Sequence, residues 1–182
     1  MSIKDKGFTL IELMVSITIF SVVMLASMGA VLTVLNANRK SESLRSVMDN
    51  LSFTLDTMTR TIRFGSVYHC SASGNLSVPN DCPSGDSSLT VLDSSNNQVT
   101  FYLSSGQIMR VVGTDSPLSL TSPDVNIQTL GFWVVGSTPY SAGGDLLQPK
   151  VIVLIKGYVA GTNMTGSSFT LQTTISQRKL DL

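Results

Sequence analysis

The sequence predicts an α+β protein: a long N-terminal α-helix, membrane-spanning and then amphipathic, packed on a C-terminal antiparallel β-sheet domain. Three observations carry that prediction. Residues 8–35 hold a single ionisable side chain, Glu12. Leu44, Val47, Met48, Leu51, Leu55, Met58 and Ile62 then recur at spacings of three and four, the pattern of one apolar stripe on a helix. After Gly65 the composition turns to Ser, Thr, Gly and Asn, broken by short β-prone runs.

The first element is the apolar run. At about 1.5 Å per residue, Phe8–Leu35 makes a helix of roughly 42 Å, enough to cross a hydrocarbon core of about 30 Å. The run contains no proline, and Gly29 is its one interior glycine. That glycine is the weakest point, since glycine in a helix costs about 1 kcal/mol relative to alanine. Lys4 and Lys6 precede the run, and Arg39 and Lys40 follow it, so flanking charge does not by itself set an orientation. A secretory signal peptide fits poorly, because the apolar region far exceeds the usual ~7–15 residues and holds a carboxylate near its start. A plain signal anchor fits the length and leaves Glu12 unexplained. A charged group at the bilayer centre costs about 2.5–3.5 kcal/mol or more, so an intramembrane carboxylate is read as a functional group with a partner to be named.

The second element, residues 36–64, continues the helix in amphipathic form. Arg45 with Asp49, and Asp56 with Arg60, are i,i+4 pairs of opposite charge, worth about 0.2–0.5 kcal/mol each and most simply a solvated face. Gly65 is the expected stop. Arg39, Lys40, Arg60 and Arg63 do not make a nucleic-acid surface: acidic residues intervene and no aromatics interleave.

The third part, residues 65–182, is expected to be a β-rich extracytoplasmic domain. Its candidate strands are Leu89–Asp93, Val99–Leu103, Gln107–Val112, Ile127–Val135, Val151–Val159 and Phe169–Ser176. Ser94–Asn97 and Ser104–Gly106 have hairpin length and turn residues. Val151–Ile155 is continuously apolar, as a central strand requires. The stretch from Tyr68 to Ser88 is the least regular. It holds the two cysteines, Cys70 and Cys82. A disulfide between them would close a small ring, stabilise by about 3 kcal/mol in the loop-entropy model, and imply an oxidising compartment.

Composition excludes more than it assigns. The chain has 12 basic and 12 acidic side chains, so no electrostatic argument favours DNA or an acidic polymer. Charged residues are only 13%, which leaves a surface of uncharged Ser, Thr and Asn suited to side-by-side packing. His69 beside Cys70 lacks the further ligands a zinc site needs and the further His a nucleophile relay needs. Asp81, Asp86 and Asp145 have no calcium-loop spacing. The sequons at Asn75 and Asn163 are short patterns of low specificity. No catalytic residues, no metal site and no cofactor are expected.

The junction Lys6-Gly7-Phe8-Thr9-Leu10-Ile11-Glu12-Leu13, followed by the apolar run, resembles the prepilin signal of the type IV pilin superfamily. The resemblance implies a leader of residues 1–7, removed by a prepilin peptidase that cuts between Gly7 and Phe8 on the cytoplasmic side. Phe8 is then N-methylated. Glu12 matches the family's acidic residue, fifth of the mature chain. The new Phe8 ammonium lies four residues before Glu12, so the two can pair within one helix or between neighbouring subunits, where the pairing sets axial register.

Later segments resemble minor pilins and J-type minor pseudopilins: Leu55-Asp56-Thr57-Met58-Thr59-Arg60-Thr61-Ile62-Arg63, Gln98-Val99-Thr100-Phe101-Tyr102-Leu103 with Gly106-Gln107-Ile108, and Leu171-Gln172-Thr173-Thr174-Ile175-Ser176-Gln177-Arg178. They imply a low-abundance subunit that primes a pilus or a type II secretion pseudopilus, or sits near its tip. The chain departs from many relatives in one respect: several pilins carry a proline about two-thirds along the apolar helix, where the helix melts in the filament, and here Gly29 stands in that general region. The implied partners are other pilins or pseudopilins, the prepilin peptidase/methyltransferase, an inner-membrane assembly platform and the lipid bilayer. The implied location is the cytoplasmic (inner) membrane, crossed once, and then the filament. The competing expectation is a single-pass anchored binding protein or enzyme unrelated to filaments.

Overall fold

The structure is a computed structural model that describes residues 7, 9–71, 74–139, 147–159 and 168–178. One helix, α1, runs from Leu10 to Phe64. Nine strands follow: β1 (Ser66–Cys70), β2 (Cys82–Asp86), β3 (Ser88–Leu92), β4 (Gln98–Ser104), β5 (Gln107–Val112), β6 (Leu118–Ser119), β7 (Val125–Val135), β8 (Lys150–Val159) and β9 (Ser168–Ser176). The chain divides into two compact units, Met1–Ser43 and Leu44–Leu182.

In the first unit α1 is chiefly apolar from Leu10 to Leu35, with Glu12 its one ionisable side chain there. Its large apolar side chains from Leu10 to Leu35 are 48% to 79% exposed, so none is buried within this chain. Four hydroxyls of this run are satisfied within the helix. Ser16, Thr18, Ser21 and Thr33 each donate to the carbonyl four residues earlier, at 2.7–2.9 Å. That geometry removes the penalty of placing a free hydroxyl in an apolar medium.

The second unit is an α+β arrangement of the 44–64 part of α1 with two antiparallel sheets. Their orders are β1-β3-β4-β5-β6 and β2-β7-β8-β9. The helix buries Val47, Leu51, Met58 and Ile62, with Leu44 and Leu55 at the margin. Met48, expected on this stripe, is instead 41% exposed, and Thr54 is buried in the seam. The 3.6-residue period explains the exchange: 47, 51, 54, 58 and 62 line one face, and 48 turns about 100° away. Thr54 Oγ1 lies 2.9 Å from both Asn50 O and Leu120 O, so its one proton is held between two carbonyls. Asn50 Oδ1 accepts from Ser122 N at 3.0 Å. Together these fix the 120–122 segment on the helix. Of the expected charge pairs, Asp56 and Arg60 meet at 3.4 Å with both side chains exposed, whereas Arg45 and Asp49 form no ion pair among the described residues.

The end of α1 is over-determined. The Tyr68 hydroxyl donates to Ile62 O at 2.7 Å, Gln177 Nε2 to Gly65 O at 3.2 Å, and Arg178 N to Arg63 O at 2.9 Å. Carbonyls that a helix C-terminus leaves unpaired are thus met by β1 and by the end of β9. The Arg178 guanidinium also stacks 5.4 Å from the Phe64 ring centroid. Gly65 is required by close approach: a Cβ there would strike Val91 Cγ2 and come within 2.7 Å of Leu92 O and 2.8 Å of Thr61 O. Two of those neighbours are backbone and cannot step aside. Gly65→Ala is expected to destabilise by about 1–3 kcal/mol, read as an earlier urea midpoint in Trp133 fluorescence.

The six expected strands all form, with ends shifted by one or two residues, and β8 is central, between β7 and β9. The irregular region holds two further strands, β1 and β2. Both evade pattern reading for local reasons. In β1, Val67 has a positive φ of 54° and the register shifts between Ser66 and His69. In β2, Pro83 and Gly85 interrupt the run, which is tolerated because β2 is a bulged edge strand. The β4–β5 turn uses Ser105 and Gly106 at φ 51° and 75°, the left-handed pair a two-residue hairpin needs.

In the β3–β4 turn the Asp93 carboxylate accepts from Asn97 N at 2.9 Å and Ser95 N at 2.8 Å. The Asn97 amide, chiefly, holds its pKa below the ordinary value of 3.8. The folded turn therefore favours the ionised form. Its contribution is present above the ordinary carboxylate pKa and is lost as pH falls through the lower folded one. Asp93→Asn is expected to lower the melting temperature slightly at pH 7 and to match the wild type near pH 2, in melts followed across that range.

Candidate functional site

The functional candidates from the sequence lie at the start of α1 and in the β1–β2 connection. Gly7 is exposed, and a Cβ built on it would meet nothing within 4 Å. Phe8 lies outside the described residues. The helical ladder begins where Leu13 N donates to Thr9 O at 3.3 Å. Glu12 sits in the first turn of α1, with its side chain exposed. The open N–H groups of that turn carry partial positive charge, which favours a carboxylate by about 0.3–1 kcal/mol. That is small beside the ~2.5–3.5 kcal/mol cost of an unpaired charge in the bilayer. Among the described residues the Glu12 carboxylate has no ionic partner. Its neighbours in the chain, Leu10, Ile11, Leu13 and Met14, are themselves exposed.

Cys70 and Cys82 are joined by a disulfide, with Cα atoms 5.8 Å apart. The bond connects the edge strand of one sheet, β1, to the edge strand of the other, β2. Sequence reading placed both cysteines in one loop and missed that they link two sheets; no local signal in residues 66–86 announces it.

The remaining titratable groups of this region are engaged with backbone. His69 Nδ1 lies 2.7 Å from Val78 O, so that nitrogen carries a proton and donates. Asp81 accepts from Gly136 N and Ser137 N, both at 2.9 Å. Asp86 Oδ1 accepts from Ser87 N and Ser88 N. Asp145 and the Asn163 sequon lie outside the described residues. Asn75 Oδ1 accepts from Ser77 N at 3.1 Å in an exposed turn.

The family described as the prokaryotic N-terminal methylation motif matches residues 3–28. These residues are the prepilin-type signal of type IV pilins and pseudopilins. The match spans Gly7, Phe8 and Glu12 and more than half of the apolar run. Such a signal implies processing by a peptidase and assembly with other pilins, and with the apolar helix it fits membrane anchoring. No curated protein and no solved structure matches the chain.

Proposed function

We propose that this type IV pilin-like or pseudopilin-like chain is a minor subunit that primes, or is built into, a pilus or type II secretion pseudopilus through the N-terminal part of α1. The observation that carries the reading is the prepilin-type signal at the head of a helix whose apolar side chains, from Leu10 to Leu35, are all open. A stretch of helix that buries none of its large apolar side chains against its own chain, as Leu10–Leu35 does, needs another apolar environment. The bilayer supplies one before assembly, and neighbouring helices supply one after it.

The proposed sequence of events follows from the residues. A prepilin peptidase cuts between Gly7 and Phe8, and the new Phe8 amine is methylated. Methylation keeps that amine basic and therefore cationic. Glu12 of one subunit then pairs with the Phe8 ammonium of a neighbour, which neutralises both charges as the helices leave the lipid. The second unit sits on the extracytoplasmic side, a placement supported by the Cys70–Cys82 disulfide, since such bonds persist in oxidising compartments. The chain acts by packing and display, without catalysis, and its partners are other pilins or pseudopilins and an inner-membrane assembly platform.

The test is the intact mass and N-terminal peptide of the protein from its native membrane. A mature chain beginning at methylated Phe8 is expected. A chain that keeps residues 1–7, or one cut beyond Ala26, would remove the prepilin reading and leave an anchored or secreted binding protein.

A further inference from the structure

An edge strand offers unpaired N–H and C=O groups to any extended chain that meets it. The edges of the two sheets are β1, β6, β2 and β9, and three of them are blunted. β1 is irregular in register, and the connection after it takes up its outer side, where Cys70 N donates to Asn80 O and Asn80 N to Tyr68 O. β2 is bulged and interrupted by Pro83 and Gly85. β6 is two residues long. The fourth edge, β9, has none of these defences. It pairs with β8 from Ser168 to Ser176 without a register shift, and it contains no proline, glycine or charged residue.

The direction of the β9 hydrogen bonds follows from the end of the strand. Gln177 N donates to Pro149 O at 3.0 Å, continuing the register in which Ser176 faces Lys150. Hydrogen-bonding direction alternates along an antiparallel strand. Phe169, Leu171, Thr173 and Ile175 therefore bond β8, whereas Ser168, Thr170, Gln172, Thr174 and Ser176 aim their N–H and C=O groups outward. The next outward N–H, that of Arg178, donates to Arg63 O, which agrees with this phase. Among the described residues no backbone group meets the outward groups of 168–176. At the Ser176 end the edge borders an open cavity of about 210 Å³ lined by Thr59, Arg63, Thr174, Ile175 and Ser176. Charge around the edge is one-sided. Lys150 pairs in register with Ser176 and Lys156 with Thr170, so each lysine shares a sheet face with that residue. All four are exposed, as is Arg63. None of these three cations forms an ion pair among the described residues, and β7, β8 and β9 contain no carboxylate.

We propose that β9 accepts an extended, acidic segment of another polypeptide as a fifth strand of the β2-β7-β8-β9 sheet, antiparallel because that pairing is the more stable. Main-chain bonds to the outward residues supply the binding. Carboxylates at the positions opposite Ser176 and Thr170 supply the choice of partner. Those positions are six residues apart, roughly 20 Å, and each lies about 10 Å from a lysine across one short side chain. That separation is close to the screening length of about 8–10 Å. The intervening residues of the segment face the side of Phe169 and Leu171, which are half-buried against the core, and are apolar. A second copy of this chain fits less well, because pairing β9 with β9 gathers four lysines on one face without a carboxylate from these strands.

The test is amide NMR with hydrogen exchange on the full chain in zwitterionic detergent micelles. The probe is an end-blocked peptide, Glu-Val-Thr-Val-Thr-Val-Glu-Val-Thr, which sets Glu opposite Ser176 and Thr170. Saturable binding is expected, with new protection at the Thr170, Gln172, Thr174 and Ser176 amides and none added at Leu171 and Thr173, which already bond β8. Docking through side chains alone gives no such alternation. The same peptide with both Glu replaced by Lys is expected to bind about tenfold more weakly. Lys150→Glu/Lys156→Glu is expected to reverse that preference, and both sites are exposed, so the fold is kept. Gln172→Pro removes an outward N–H without breaking a bond to β8 and is expected to abolish binding; the charge reversal tests the edge even if that variant folds poorly. No saturable binding up to about 5 mM peptide, or protection without alternation, overturns the proposal. Equal affinity for the Lys peptide overturns it too. So does alternating protection that rises with protein concentration in the absence of peptide, since a second copy then covers the edge.

Discussion

Glu12→Val is expected to remove the protein from assembled filaments while leaving it in the membrane and fully processed. The carboxylate lies in the first turn of α1, exposed, within open apolar side chains and without an ionic partner among the described residues. If it meets the Phe8 ammonium of a neighbouring subunit, the substitution strands that ammonium in an apolar interface. Breaking a buried pair by removing one partner costs about 3–5 kcal/mol, and each 1.4 kcal/mol is about tenfold. Incorporation should therefore fall by at least about a hundredfold, measured as the sheared-filament fraction over the membrane fraction. Two controls separate this from trivial failure. Cleavage after Gly7 should persist, because Val at position 12 leaves the Gly7–Phe8 junction intact. Insertion should persist, because Val lowers the cost of entering lipid. Glu12→Asp keeps the charge on a shorter arm and is expected to retain part of the incorporation. Wild-type levels of Glu12→Val in filaments would end the pairing role.

What could be read in advance follows from how local each signal is. The helix and six strands announce themselves through spacing of three and four or through short β-prone runs, and those elements are where the periods put them. Met48 and Thr54 show the limit of that reading. Pattern counts apolar residues and cannot see that a threonine enters the seam once two carbonyls, Asn50 O and Leu120 O, share its proton. β1 and β2 stayed hidden because Val67 adopts a left-handed conformation and because Pro83 and Gly85 interrupt the run. β6 is two residues long and has no period to detect. The prepilin-type signal was legible because it is a contiguous motif, matched over residues 3–28.

Loss of the Cys70–Cys82 bond is the largest stability effect expected in the second unit. Cys70 is fully buried at the edge of one sheet and Cys82 lies at the edge of the other, so the bond ties together edges that no strand pairing joins. Closing a ring of 12-residue separation stabilises by about 3 kcal/mol through the unfolded chain. The connection is not held by sulfur alone. Asn80 Nδ2 donates to Cys70 O, Cys70 N to Asn80 O and Asn80 N to Tyr68 O, at 2.6–3.0 Å. Reduction should therefore lower stability without dissolving the fold. Cys70→Ala/Cys82→Ala is expected to lower the melting temperature by roughly 10 °C, at about 2–4 °C per kcal/mol for a domain of this size. Trp133, the one tryptophan, reports the change in the full chain. Dithiothreitol should bring the wild type down to the double variant and leave the double variant unmoved. If the reduced wild type keeps its oxidised midpoint, the bond contributes nothing, and the support it lends to an extracytoplasmic placement falls with it. If the midpoint drops, the second unit reaches full stability only where thiols are oxidised, which supports the proposed extracytoplasmic placement.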